Sequence, residues 1–200
     1  MLLTIGHSTR SSEALLDLLV RHGVTAIADV RSVPFSRWSP QFNQDALKRA
    51  LKQRGISYVF LGKELGARSD DPSCYVEGKV QYRRLAGTEL FRAAIARLLE
   101  GSKTERIAVM CAEGDPLDCH RTILVARELV AAGADVAHIL ADGSLEPHEA
   151  SIRRLMQRLH LLQPTFLESP EALVERVYAE QEDRIAYVRA SGDPDDEEQP

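Results

Sequence analysis

Short apolar runs alternate with amphipathic stretches along most of this chain. Leu2–Ile5 is the first run and is closed by Gly6; Ser11 or Ser12 can cap a helix over about Glu13–His22, where Leu15, Leu16, Leu18, Leu19 and Val20 make a dense apolar face. Gly23 ends that helix, and Thr25–Val30 reads as a second strand. An irregular segment, Arg31–Phe42, carries Pro34 and Pro40 before Asn43 caps a helix to about Arg54, stopped by Gly55. Ile56–Leu61 reads as a third strand, a helix capped by Thr88 runs to about Glu100, and Arg106–Cys111 reads as a fourth strand. Thr122–Ala132 is mostly helical, Asp135–Leu140 is a fifth strand, and two amphipathic helices follow over His148–Leu162 and Ser169–Tyr187, separated by Pro164. Residues 62–85 are poor in apolar periodicity, and an excursion of that length in a compact domain is usually functional, mobile, or both.

This alternation predicts an α/β fold: a mainly parallel twisted sheet of about five strands with helices on both faces, plus C-terminal helices. The expected organisation is an α/β domain over 1–150, a helical extension over 151–189 packed on it, and a disordered acidic tail over 190–200. Ligands of such sheets bind beyond the carboxyl ends of the strands. The polar residues that follow the predicted strands fit this rule: His7, Ser8, Thr9 and Arg10 after the first; Asp29, Arg31, Ser32 and Arg37 at or after the second; Glu64 and Arg68 after the third; Cys111 to Arg121 after the fourth; His138, Asp142 and His148 at or beyond the fifth.

Composition narrows the class. The net charge of −5 comes from Asp193, Asp195, Asp196, Glu197 and Glu198, since 25 basic residues face 25 acidic ones in the remainder. A neutral body speaks against nonspecific binding of duplex nucleic acid over a broad basic face. No apolar run reaches membrane-spanning length, and the N-terminus lacks the basic start of a signal peptide. Three cysteines argue for reduced thiols rather than a disulfide framework, so a cytoplasmic location is expected.

Residues 105–121 hold the densest chemistry: a strand ending at Cys111, a polar turn with Glu113 and Asp115, then Cys119, His120 and Arg121 opening a helix. Free amides at a helix start favour an anion. Cys111, Cys119 and His120 invite a zinc reading, although their spacing is not the short paired-Cys pattern, and a fourth ligand would have to come from His7 or His138. A thiolate reading competes, with Cys119 activated beside His120 and Arg121 and opposed by Asp118; Cys111 can equally be an apolar filler. Arg121 follows Cys111 by ten residues and Cys119 by two, so neither pair forms the Cys-x5-Arg phosphate loop of tyrosine phosphatases.

Gly6-His7-Ser8-Thr9-Arg10 can cradle an oxyanion, or its hydroxyls can simply cap a helix for about 1 kcal/mol. Asp29 and Arg31 make either an ion pair or part of a site, and Trp38 either anchors its loop by packing or stacks on a base. His138 is as well read as a satisfied core histidine as a site residue, and Cys74 has no obvious partner.

Thr4-Ile5-Gly6-His7-Ser8-Thr9-Arg10, Asp29-Val30-Arg31 with Pro34 and Ser36, Leu65-Gly66, Met110-Cys111-Ala112-Glu113 and Cys119-His120-Arg121 together resemble the family called domain of unknown function 488 over roughly residues 1–150. The family pattern usually places a second glycine after Leu-Gly where this chain has Ala67, and His138-Ile139 and His148 sit where the family tends to carry such residues. The resemblance implies an α/β domain with a shared site and carries no activity.

The residues themselves point to an enzyme of hydrolase or transferase type acting on a phosphorylated or anionic small molecule, such as a nucleotide or nucleoside derivative. His7, Glu113, Asp115, Cys119 and His120 are the candidate catalytic groups. Ser8, Thr9, Arg10, Asp29, Arg31, Arg37, Cys111, Arg121 and His138 are the candidate binding groups. No cofactor motif is present, and no membrane partner is expected. One alternative is a module for single-stranded or modified nucleic acid, with Trp38, Phe35, Tyr75 and Tyr82 stacking bases; another is a metal-dependent hydrolase.

Overall fold

In the computed structural model, which describes residues 1–164 and 168–189, a six-stranded sheet forms the centre. The expected tail over 190–200 lies outside the described residues. The elements in chain order are β1 (Leu2–Gly6), α1 (Ser12–Arg21), β2 (Ala26–Asp29), α2 (Gln44–Gln53), β3 (Ser57–Phe60), α3 (Gly62–Leu65), β4 (Tyr75–Val76), β5 (Lys79–Val80), α4 (Tyr82–Ala86), α5 (Glu89–Gly101) and β6 (Ile107–Cys111). A π-helical turn (Arg121–Ala126) runs into α6 (Arg127–Ala131), followed by β7 (Val136–Ile139), β8 (Leu145–Pro147), α7 (His148–Arg158) and α8 (Pro170–Ile185).

The strand order is β3-β2-β6-β1-β7-β8, with every pairing parallel except that of β8 on β7. The α/β class and the five parallel strands are as the periodicity predicts. The sixth, β8, is three residues ending in a proline, too short to read as an apolar run and suited to a sheet edge. The excursion over 62–85 is more ordered than its pattern suggests. It holds α3, α4 and a separate β4-β5 hairpin, anchored by the buried Leu65, Cys74, Val80, Tyr82 and Leu85, whose irregular spacing hides them from a periodicity argument.

Side-chain alternation divides the core into two halves. Leu3, Ile5, Ile27, Ala108, Met110, Ala137 and Ile139 pack with α1 and α2 through Leu15, Leu19, Leu47 and Leu51. The opposite parity, Leu2, Ala28, Ile107, Val109, Cys111 and Val136, faces α5, the π-helical turn, α7 and α8. Cys111 therefore points to the face on which the π-helical turn lies. Full burial of each such aliphatic side chain contributes about 1.5–3 kcal/mol. Local caps frame the helices: Ser11 accepts from the Ala14 amide at 3.1 Å, Thr88 from Phe91 at 3.2 Å and Ser169 from Ala172 at 3.2 Å. Asn43 departs from expectation, since its Oδ1 accepts from the Ser36 amide at 2.6 Å instead of capping α2. Among the described residues, no helix is long and apolar enough to cross a membrane.

A buried polar chain ties α8 to the sheet. Thr4 Oγ1 lies 2.7 Å from His138 Nδ1, His138 Nε2 lies 3.0 Å from His148 Nδ1, and His148 Nε2 lies 2.8 Å from the Tyr178 hydroxyl. With both rings neutral, one hydrogen per link satisfies the chain in either direction. His138 thus takes the core-histidine role, not a binding one. Burial lowers the pKa of His148 to about 4 and holds His138 well below its ordinary value.

The unfolded chain consequently binds these protons first as pH falls. The stabilisation from His148 is complete above about pH 6.5 and is lost toward about pH 4, amounting to roughly 3 kcal/mol at most. Urea unfolding should show stability falling steadily from about pH 7 to about pH 5. A flat profile in wild type, or an unaltered slope in His148→Asn, would contradict this assignment.

Candidate functional site

The strand order dictates where a crevice opens. The connection leaving β2 runs outward to β3, while the one leaving β6 runs the other way to β7, so α2 and the π-helical turn diverge on opposite faces. Open α/β sheets bind ligands at such a divergence, beyond the carboxyl ends of the two strands. A cavity of about 290 Å³ lies there, lined by Arg31, Ser32 and Val33 after β2 and by Cys111, Ala112 and Glu113 at the end of β6. Asp118, His120, Ala67, Arg68 and Tyr82 complete most of its wall, with Ile185 and Tyr187 from the C-terminal segment.

Backbone pairing continues past the strands. The His7 amide donates to Cys111 O at 3.0 Å, Ser8 to Ala112 O at 2.8 Å, and Val30 to Met110 O at 3.0 Å. Gly6 makes this approach possible: a Cβ there would stand 1.7 Å from the Glu113 carbonyl oxygen. Gly66 has a similar reason, with a Cβ falling 2.2 Å from Gly62 O and 2.5 Å from Ser32 Oγ. Ser8 adopts φ +52°, in the left-handed region.

Arg31 and Asp29 are nearly or wholly shielded, at 5% and 0% exposure. Arg31 Nε and Nη2 donate to the two Asp29 oxygens at 2.9 and 2.6 Å, and the Tyr58 hydroxyl donates to Asp29 Oδ2 at 2.8 Å. A bidentate pair of this kind locks the guanidinium plane, leaving Nη1 3.4 Å from His7 Nε2. His7 Nδ1 lies 2.8 Å from Ser8 O, which assigns the ring hydrogen to Nδ1, and the ring stacks on Phe42 at 4.3 Å. Burial lowers the pKa of His7.

On the β6 side, two thiols and an imidazole converge. His120 Nε2 is 3.1 Å from Val30 O, while Nδ1 faces Cys111 Sγ at 3.7 Å and Cys119 Sγ at 3.9 Å. Cys119 Sγ is 2.9 Å from Glu113 Oε2 and accepts the Arg121 amide at 3.4 Å. Burial, then the charge at Cys119, raises the pKa of Glu113. Burial alone would raise Cys119, but its contact with Cys111, the charge of Arg121 and the bond to His120 outweigh that and bring it well below its ordinary value. Contact with Cys119, then burial, pushes Cys111 up.

Several expected residues take other work. Arg121 is fully buried, and its Nη1 and Nη2 donate to the carbonyls of Glu113 at 2.7 Å and Gly114 at 3.1 Å, so it clamps a loop instead of meeting a ligand. Arg10 donates to Gly6 O at 2.6 Å and Leu140 O at 3.4 Å, outside the cavity. Asp115 caps a turn through the Leu117 amide at 3.0 Å and pairs with Arg154 and Arg158, which removes it from the catalytic set. Ser8, Thr9 and Arg37 do not line the cavity. Trp38 is 96% exposed and so is no packing anchor. Tyr82 is buried and Tyr75 lies under the Arg189 guanidinium, so neither is free to stack a base.

Two contributors escaped the sequence reading. Tyr58, on a strand, gives no sign that its hydroxyl reaches Asp29. Tyr187 lies beyond the expected domain; the Tyr187 carbonyl accepts the Val80 amide at 2.9 Å, which brings the segment after α8 to the β4-β5 hairpin and onto the cavity wall. Arg68 stacks on the Tyr187 ring at 4.5 Å and makes no ion pair among the described residues.

The clamp by Arg121 carries a definite expectation. Arg121→Ala leaves two carbonyls without their charged donor, and each such bond is worth about 1.5–3 kcal/mol, so the variant should lose roughly 3 kcal/mol or more of stability in urea unfolding. An unshifted midpoint would return Arg121 to the binding set.

No curated protein and no solved structure matches the chain. A family model described as "Domain of unknown function DUF488" matches residues 11–127, more than half of the sequence and the stretch from α1 through the π-helical turn. The motifs at the ends of β2 and β6 that frame the cavity fall within that match, and the chain belongs to this family.

Proposed function

We propose that the protein is an enzyme of hydrolase or transferase type acting on a phosphorylated or otherwise anionic small molecule, with nucleotides and nucleoside derivatives as the substrate class. One observation carries the reading: a single cavity brings together guanidinium groups, carboxyl groups, a thiol and an imidazole. Arg31 and Arg68 form its cationic wall, and Glu113, Cys111 and His120 its reactive end. A site meant only to hold an anion would gain nothing from a carboxyl group beside the cations. The volume of about 290 Å³ suits a small ligand. Tyr82 and Tyr187 line the cavity and add apolar surface beside its charged groups.

In this reading Arg31, pre-oriented by Asp29, and Arg68 bind the anion. Glu113 moves the proton at the reacting atom. His7 is a positioning residue acting through Arg31. A second reading draws on the loop beside the cavity mouth, where Phe35 is 63% exposed and Trp38 96%, with Arg37 exposed between them. Such a loop stacks bases of a single strand, and one nucleotide unit of that strand would then enter the cavity.

Thermal-shift measurements should rank nucleoside phosphates above the matching nucleosides as stabilisers. Arg68→Ala should weaken phosphate binding roughly 10- to 100-fold, the equivalent of one charge-assisted contact. Glu113→Gln should keep binding and lose turnover. Equal stabilisation by phosphorylated and unphosphorylated ligands would end the anion-directed reading. Oligonucleotide binding that weakens with salt, survives Glu113→Gln and is lost in Trp38→Ala would favour the single-strand reading instead.

A further inference from the structure

We infer that Cys111, Cys119 and His120 form a metal site for zinc, with its fourth coordination position open to the cavity. The inference stands on ligand geometry and goes beyond the reading above, which requires no metal. Among the described residues, these three are the side chains whose ligand atoms converge: the two Sγ atoms and a ring nitrogen all lie within 4.8 Å of one another, and all three residues are buried. Zinc takes thiolate sulfur at about 2.3 Å and imidazole nitrogen at about 2.0–2.1 Å, so a tetrahedral sulfur-to-nitrogen edge is about 3.6 Å. The two edges here are 3.7 and 3.9 Å. Both edges are thus within a few tenths of an ångström of those a tetrahedral zinc imposes.

The surroundings are those a metal ligand needs. A ligating histidine donates its other ring N–H to an oxygen, which fixes the tautomer and the ring plane. His120 Nε2 does so with Val30 O at 3.1 Å, leaving Nδ1 turned to the sulfurs. The Arg121 amide donates to Cys119 Sγ at 3.4 Å, an orientation that suits a thiolate ligand. Strand parity sends Cys111 to the face from which Cys119 and His120 descend, and the π-helical turn starts at the next residue. Turns of this type inside helices recur at functional sites. The third cysteine, Cys74, stands apart in the 62–85 excursion. Neither residue expected as a fourth ligand is available: His138 is committed to Thr4 and His148, and His7 to Ser8 O and Arg31.

Two soft thiolates and one imidazole select zinc over magnesium, calcium or manganese. Three protein ligands with one position left over is the arrangement of catalytic rather than structural zinc. Cys111 and His120 both line the cavity, and Glu113 sits on the same wall, so the open position faces substrate with a carboxylate beside it. Water there can supply the nucleophile for hydrolysis: its proton passes to Glu113, its oxygen bonds the electrophilic atom of the substrate, and the leaving group departs with the proton returned by Glu113.

The full chain, purified untagged and without chelator and then reconstituted with zinc alone, should carry about one zinc per molecule by elemental analysis. Cys119→Ser and His120→Asn should each lower zinc affinity at least about tenfold, while Cys74→Ser should leave it unchanged. If the ligand variants fail to fold, cobalt replacement in wild type keeps the test: tetrahedral d–d bands with a thiolate charge-transfer band are expected. Absence of bound zinc after reconstitution, together with no thiolate band from cobalt, overturns the site. One zinc per chain without any response to anionic ligands would sink the substrate reading and leave this one standing. Phosphate-dependent stabilisation of a zinc-free protein that cannot be loaded would do the reverse.

Discussion

A guanidinium with no exposed surface must find acceptors inside the protein, and Arg121 finds them in the carbonyls of Glu113 and Gly114. Much of the site follows from that requirement. The clamp holds the turn after β6 against the start of the next helix, which brings Glu113 Oε2 to Cys119 and sets His120 between Val30 and the two thiols. Gly6 is the complementary condition, because only a residue without Cβ lets β1 lie under the clamped carbonyl. One buried cation and one missing methyl therefore register β1, β6 and the π-helical turn against each other.

The second arm of the cavity is held by the same physics with opposite sign. Asp29 is wholly buried, and its carboxylate is satisfied by Arg31 and the Tyr58 hydroxyl. Removing either partner of such a pair would leave a buried charge uncompensated, which is far costlier than losing a surface ion pair. The guanidinium of Arg31 is thereby held in a fixed orientation, and the proposed anion recognition rests on that pre-organisation. The wall built by Arg68 and Tyr187 differs: it is more exposed, depends on the segment after α8, and closes the side that the sheet leaves open.

Much of this was legible in the residues. Alternating apolar runs gave the parallel sheet, and the carboxyl-edge rule collected His7, Arg31, Cys111, Glu113 and His120 correctly on one side. It failed for Arg10, Asp115, Arg121 and His138 because position at a strand end does not say which way a side chain turns or who satisfies it. Arg121 shows this best: a charged residue at a helix start reads as a ligand holder, yet it is the largest fully buried side chain among the described residues. The order inside the 62–85 excursion was hidden for a related reason. Its five buried apolar side chains are single anchors, and single anchors leave no period to detect.

The chain's own pattern determined the α/β class and the order of most elements, since periodicity and capping are local properties that neighbouring residues carry between them. Only the tertiary structure decided the strand order, and with it the place where two connections diverge and a crevice opens. Only it, too, brought Cys111 within reach of Cys119 and His120 and carried Tyr187 across to Arg68. Those are distances between segments remote in sequence, set by which backbone groups pair and which buried charges must be matched, and no local pattern encodes them.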